Sequence, residues 1–214
     1  MSTLAYRIAV EPDEFSLLQS QWGTLPLHHQ QLDVDHPFLT GTNQQLISDQ
    51  RRAEICYIMH RGNVAEGVLL HVKSFYPEGA FRLPTGGIHQ GEQVMETLAR
   101  EIEEETGLVV GPGSNQVQVQ RCLGVVSYEM AHRSMGQCYP FATYHFLVKM
   151  PNDGELAPRD ATEKIAAWQW RKPQELHDVA DYLEQVGRNN PDWGDWGRYR
   201  ALSHRFVASV LTAE

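Results

Sequence analysis

Gly86-Gly87-Ile88-His89-Gln90-Gly91-Glu92, then seven residues, then Arg100-Glu101-Ile102-Glu103-Glu104-Glu105-Thr106-Gly107-Leu108 is the stretch that decides the fold. It reads as a glycine loop feeding a helix. Met95, Leu98 and Ile102 recur at helical spacing and form one apolar stripe. Gly107 stands where a C-terminal helix cap is expected. With a helix advancing about 100° per residue, Glu104 falls about 60° to one side of Glu101 and Glu105 about 40° to the other. The three carboxylates therefore share one face, away from the apolar stripe. Like charges so placed repel, and Arg100, four residues before Glu104, offsets only part of that repulsion. A divalent cation offsets more. Hard cations such as Mg²⁺ prefer carboxylate oxygens and keep waters and phosphates in their shell. The backbone carbonyl of Gly86 is a further donor, because glycine lets a backbone approach closely.

Outward from this stretch, Ala53–His60 and Val64–Phe75 read as two strands, joined as a hairpin through Arg61-Gly62-Asn63. Phe81–Leu83 is short and extended, as the residue before Pro84 must be. Val117–Tyr128, Tyr139–Met150 and Ile165–Trp170 read as strands, with a polar loop at Met130–Gly136. Pro173–Val186 is helical, and Tyr199, Leu202, Phe206 and Val210 mark an amphipathic terminal helix. Near the start, Leu4–Val10 reads as a strand and Asp13–Trp22 as a helical turn or two, while His28–Pro37 shows no clear period. Three regions follow: an arm over 1–48, a domain over 49–176 and a helical extension over 177–214.

The whole chain sets bounds on function. It has 214 residues, 42% hydrophobic and 21% charged, enough for a sizeable core and not a disordered composition. A formal charge of -9 argues against a nucleic-acid polymer as partner, which needs a basic footprint. It does not argue against a small phosphorylated substrate, whose charge a bound cation can meet. Cys56, Cys122 and Cys138 are odd in number and widely spaced, so they read as small apolar fillers rather than disulfides or metal ligands. Met1–Phe15 carries Glu11, Asp13 and Glu14 and no long apolar run, and no stretch suits a membrane helix. A cytoplasmic location is expected.

A bare Glu-x-x-Glu-Glu cluster is usually solvated surface. The full spacing is more specific. Gly86, Glu92, Arg100, Glu101, Ile102, Glu104, Glu105, Gly107 and Leu108 fill every specified position of a motif that resembles the Nudix box. Chance gives such a match about once in ten million chains of this length, from ordinary residue frequencies. The strand pattern over roughly 51–175 also looks like a Nudix domain. The resemblance implies a mixed α/β fold, a curved mixed β-sheet sandwiched between helices, here with N- and C-terminal extensions. It implies hydrolysis of a diphosphate linkage in a nucleoside diphosphate derivative, with Mg²⁺ or Mn²⁺. It implies Glu104 and Glu105 as the main metal ligands, Glu101 as a ligand or base, and the Gly86 carbonyl as a further contact. Arg100 would orient the glutamates, and Glu92 would steady the loop.

Outside the box the expectations are looser. In this family the base can lie elsewhere, and Glu129, Glu163 and Asp160 are downstream candidates. Arg82, four positions before the box, is a candidate for a substrate phosphate, and His89, His132 and Arg133 are candidates for contact with the substrate. Tyr128, Tyr139, Phe141, Trp168 and Trp170 are expected in the core before they are expected to stack on a base. Trp193 and Trp196 are expected to cover a sheet edge or a dimer seam, and the extra ends suit a homodimer. The alternatives to a hydrolase are a Nudix-fold module that senses a nucleotide without cleaving it, an isomerase of prenyl diphosphates, and a scaffold. Intact box glutamates disfavour the first and last. Nothing marks Cys56 or Cys122 as the reactive thiol the isomerase would use.

Overall fold

The computed structural model describes residues 9–35, 38 and 51–213. Its elements run α1 (Pro12–Trp22), β1 (Leu27–Val34), β2 (Arg51–His60), β3 (Val68–Lys73), β4 (Thr85–His89), α2 (Val94–Thr106), β5 (Gln118–His132), β6 (Cys138–Lys149), β7 (Ile165–Arg171), α3 (Leu176–Gln185) and α4 (Gly194–Thr212). One mixed sheet runs β1-β5-β6-β2-β3-β7, with β4 paired to β2 off this path. The β1–β5 and β2–β6 pairs are parallel, and the others are antiparallel.

Strand β2 shows why helices cover both faces. Its side chains alternate in direction, and both sets are apolar, as expected of a strand buried on both sides. Ile55, Tyr57 and Met59 join a core with Leu98 and Ile102 of α2 and Leu18 of α1. Cys56 and Ile58 join a second core with Leu176 and Leu183 of α3 and Phe206 and Val207 of α4. The chain is thus the expected sandwich.

The sheet divides at β2, and the division makes room for the site. Strands β2 and β3 meet only at His60 and Val68, not along a full hairpin. The opening between them is filled by the segment that leads into β4. His71 and Arg82 exchange backbone hydrogen bonds of 2.9 Å, and the Tyr57 N–H donates to the Pro84 carbonyl at 3.1 Å. Gly86 and Gly87 consequently lie in strand β4, paired with Ile55 and Glu54, where a loop was expected. Three other expectations also change. Strand β5 runs on to His132, through residues assigned to a loop, because Tyr139 and Cys138 pair with Met130 and Ala131. The stretch with no clear period holds most of β1, an edge strand with one face exposed and the other, through Gln30, Leu32 and Val34, half-buried to buried; polar His28 and Gln30 on the covered face leave little alternation to read. Cys56 and Cys122 are buried as expected, but Cys138 is exposed, at the sheet end beside Glu129. Part of the expected Leu4–Val10 strand, residues 4–8, lies outside the described residues.

Helix α2 is held at both ends. Gln93 makes no side-chain cap, but Glu14 of α1 accepts the Val94 N–H at 3.3 Å. A carboxylate there suits the positive end of the helix. Glu14 also takes Arg52 (2.7 and 3.1 Å) and the Tyr144 hydroxyl (3.0 Å), which ties the arm to the domain. At the other end Gly107 adopts φ 76°, and a Cβ there would run into the Ala157 carbonyl, so glycine is required twice over. Among the described residues no helix is long and apolar enough to cross a membrane.

Candidate active site

The face of α2 that carries the carboxylates is turned toward β4 and the end of β3. Glu101 is 7% exposed and packs directly on Gly86. A Cβ on Gly86 would overlap the Glu101 carboxyl group, so the glycine makes the space the carboxylate occupies. Arg100 braces the cluster. It donates to Glu101 at 2.8 Å, Glu104 at 2.9 Å, the Gly87 carbonyl at 3.2 Å and Glu92 at 3.3 Å. Glu92 closes the turn before α2 by accepting the His89 N–H at 2.9 Å and the Thr97 hydroxyl at 3.1 Å. Burial opposes its charge, but these hydrogen bonds and Arg100 hold its carboxyl below the usual range.

The structure brings Glu101 and Glu104 together with Glu163, from the short turn before β7; one oxygen from each lies within 4.8 Å of the others. Glu105 is turned inward and fully buried. Its Oε2 accepts from the Tyr57 hydroxyl, and the Lys73 ammonium lies 3.3 Å from its Oε1. That ion pair lacks hydrogen-bond geometry, and Oε1 has no hydrogen-bond partner. Lys73 also pairs with Glu163. His71 stands behind, its Nδ1 3.9 Å from Glu105 Oε1 and its ring 5.7 Å from that of Trp168, tilted by 37°.

The electrostatics mark a site short of positive charge. Burial, then the neighbouring Glu105 charge, pushes the Glu101 carboxyl up to about 8, against the pull of Arg100. Burial also raises Glu105 despite Lys73 and Arg82. Buried carboxylates crowd one another, and a buried oxygen lacks a hydrogen bond, where a hard cation takes oxygen donors. The residues present therefore fit a divalent cation.

Other candidate residues lie elsewhere. Arg82 is buried, and its guanidinium bonds the Tyr76 hydroxyl, the Leu83 carbonyl and Thr85, beneath the site rather than at its mouth. Glu129 sits on the β5 end with Gln31 and Cys138, outside the carboxylate cluster. Asp160 caps its own turn through Thr162. Arg133 pairs with Asp35 and Asp195, and His132 accepts from its own turn at Ser134 and Met135. Tyr57, His71 and Lys73 were not singled out in the sequence. The available signals were His71 and Lys73, two polar residues at the end of the apolar run that starts at Val68-Leu69-Leu70.

Behind β2 a second polar group ties α4 to the site strands. Glu54 accepts from Arg200 at 2.7 Å, Tyr199 at 2.8 Å and Thr143 at 3.1 Å, all buried. Burial opposes its charge, but Arg200 holds its carboxyl below the usual range. His204 of α4 accepts the Leu83 N–H at 3.0 Å.

The chain is similar to several known proteins. "Nudix hydrolase 25" of Arabidopsis thaliana is 30% identical over 124 residues, covering 49% of this chain and 65% of that protein. An "RNA pyrophosphohydrolase" of Pelagibacter ubique (strain HTCC1062) is 25% identical over 114 residues, covering 50% of this chain and 68% of that protein. The chain thus spans about two thirds of the length of these relatives. A solved C. elegans Ap4A hydrolase complex aligns over 76% of this chain and 98% of its own, at 18% identity and a TM-score of 0.48. Residues 49–193 match the family model of the NUDIX domain, a span that holds β2 to β7, α2, α3 and every carboxylate of the cluster, and the chain belongs to that family.

Proposed function

We propose that the chain is a metal-dependent hydrolase that splits a diphosphate linkage in a nucleoside diphosphate derivative. The observation that carries this is the convergence of Glu101, Glu104 and Glu163, set on Gly86 and braced by Arg100. The names of the two curated relatives, a Nudix hydrolase and a pyrophosphohydrolase, support the same reaction class. Glu101, Glu104 and Glu163 would hold the cation, with Glu105 Oε1 and the Gly86 carbonyl as further donors. A divalent cation there supplies charge neutralisation of the diphosphate and acidification of water.

The chain's own residues do the rest. Arg100 fixes two of the carboxylates in one geometry, so little reorganisation is left for the reaction. Each carboxylate has two oxygens, and one can face the cation while the other accepts a proton. Glu163, steadied by Lys73, is the residue we assign to take the proton of the attacking water. A water oxygen–phosphorus bond forms, the bridging phosphorus–oxygen bond breaks, and the bridging oxygen leaves with the second phosphate.

The test is turnover of a panel of nucleoside diphosphate derivatives in Mg²⁺ or Mn²⁺, read as phosphate after a coupling phosphatase. Glu104→Gln, Glu105→Gln and Glu163→Gln are run alongside. Metal-dependent turnover of one compound, lost in Glu104→Gln, is expected. A folded protein that binds Mg²⁺ and nucleotide but turns nothing over would instead be a sensing module. No Mg²⁺ binding would sink the assignment of the carboxylates.

A further inference from the structure

Beside the carboxylate cluster the chain presents one exposed aromatic ring that the hydrolytic site does not use. Phe75 follows Lys73 by two residues and is 37% exposed. Its ring is the outer end of a chain of aromatics running inward. Phe75 meets Tyr76 at 5.0 Å and Trp193 at 6.4 Å, and Tyr76 and Trp193 meet Trp196 at 4.9 and 5.1 Å. The inner rings are held from below, where Arg82 donates to the Tyr76 hydroxyl at 2.7 and 3.0 Å. A large exposed ring fixed by its neighbours loses little freedom when a ligand stacks on it.

Lys164 gives the second, independent observation. Its ammonium lies 5.8 Å from the centre of the Phe75 ring, and its carbonyl accepts the Ser74 N–H at 2.8 Å. It is also the one non-glycine residue at positive φ among the described residues, at φ 53° and ψ 35°. A left-handed lysine is strained, and such strain gathers where a site over-determines the backbone. Lys164 directly follows Glu163, whose carboxylate belongs to the cluster and pairs with Lys73. The segments 73–75 and 163–164 therefore face each other, with carboxylates and Lys73 at one end and Phe75 under Lys164 at the other.

We propose that Phe75 and Lys164 form the subsite for the nucleobase of the substrate, with the ring stacking on the base and the ammonium serving the anionic part beside it. This rests on the diphosphate-hydrolase reading. It makes the preferred substrate a nucleotide rather than a diphosphate on an aliphatic group. Stacking tolerates any base, because each has a π-face, so one nucleotide serves as probe.

The experiment measures binding in Mg²⁺ of two non-hydrolysable ligands, α,β-methylene-ADP and base-free methylenediphosphonate, by calorimetry. The wild type is expected to bind the nucleotide at least about tenfold tighter than the base-free ligand, as loss of one stacked base implies. Phe75→Ala removes that preference and leaves methylenediphosphonate unchanged, while Phe75→Tyr keeps it. Lys164→Gly relieves the strain and raises Tm by about 1–4 °C, yet weakens the nucleotide severalfold. A turn with a merely structural role would show the rise in Tm with unchanged affinity, and that result overturns the part given to Lys164. Equal affinity of the wild type for both ligands, or an undiminished preference in Phe75→Ala, overturns the subsite and leaves the hydrolase reading standing. Binding of neither ligand overturns both.

Discussion

His204 is a buried histidine that must stay neutral, and its contribution to stability can be isolated by pH. Its Nε2 accepts the Leu83 N–H at 3.0 Å, and its Nδ1 lies 2.8 Å from the Arg200 carbonyl, so the hydrogen sits on Nδ1. The ring is 1% exposed. Burial, with Arg82 and Arg200 adding to it, pushes the imidazole down to about 3. In the unfolded chain it titrates near 6.5. As pH falls, the unfolded chain therefore takes up the proton first. The stability this histidine contributes is complete above about 6.5 and is lost as pH falls toward 3, at about 1.4 kcal/mol per pH unit. At pH 5 the loss is about 2 kcal/mol. Glu101 works in the opposite sense: raised to about 8, it takes up its proton in the folded form, which gains stability as pH falls below 8. A single acid-unfolding curve mixes the two. The difference between the wild type and His204→Gln, which cannot titrate, cancels everything but His204. Urea unfolding at pH 7.5 and pH 5 is expected to show the wild type's advantage over the variant shrinking by about 2 kcal/mol. A constant gap, or one that widens in acid, would refute a neutral His204 clamped to Leu83.

Three further outcomes follow from the geometry. Gly86→Ala puts a methyl group into the Glu101 carboxyl; overpacking of about 1–3 kcal/mol and a loss of turnover of order 100-fold are expected, and wild-type kinetics in a normally melting variant would contradict this placement of Glu101. Glu54→Ala leaves the Arg200 charge buried and unpaired; urea unfolding should register a loss of about 3–5 kcal/mol, whereas a loss below 1 kcal/mol would mean water reaches the guanidinium. Mg²⁺ binding at pH 7 should release a proton, because Glu101 stands at about 8 without the cation. Calorimetry in two buffers of different ionisation heat measures this, and identical heats in both would count against Glu101 as a ligand.

The box and the strands around it were legible because their signals are local. The stripe through Met95, Leu98 and Ile102, the cap at Gly107 and the carboxylate face are fixed by helical geometry alone, and α2 spans Val94–Thr106. The strand at Gly86-Gly87 was not legible, because glycine has no strand preference and what holds it there is pairing with Ile55 and Glu54, some thirty residues earlier in the chain. Glu163 is one of three downstream acids, and the sequence favours Glu129 among them, whereas Glu163 is the one that joins Glu101 and Glu104. Its distinction is tertiary, arising from the turn before β7 and from Lys73 on the neighbouring strand. Tyr57 and His71 lie in strands so apolar that they read as core, and their polar atoms matter only because α2 delivers Glu105 to them.

Strand β2 explains how helices on opposite faces act on one site. Its alternation sends Tyr57 to Glu105 on the α2 face and Glu54 to Arg200 on the α4 face. The same strand pairs with β4 through Ile55 and Glu54, opposite Gly86 and Gly87. Buried ion pairs are poor sources of net stability, since desolvation offsets most of their attraction. The Glu54–Arg200–Tyr199 group is better understood as setting register: a slip of one residue in β2 would put Glu54 against the apolar side of α2 and Tyr57 among the residues of α4. The cost of that slip is two buried polar networks left unsatisfied at once. Together with the bond from His204 to Leu83, it fixes the height of β4, and so of Gly86, against the carboxylates of α2. Helix α4 touches none of those carboxylates through any of these bonds, yet it holds the strand on which Glu101 rests.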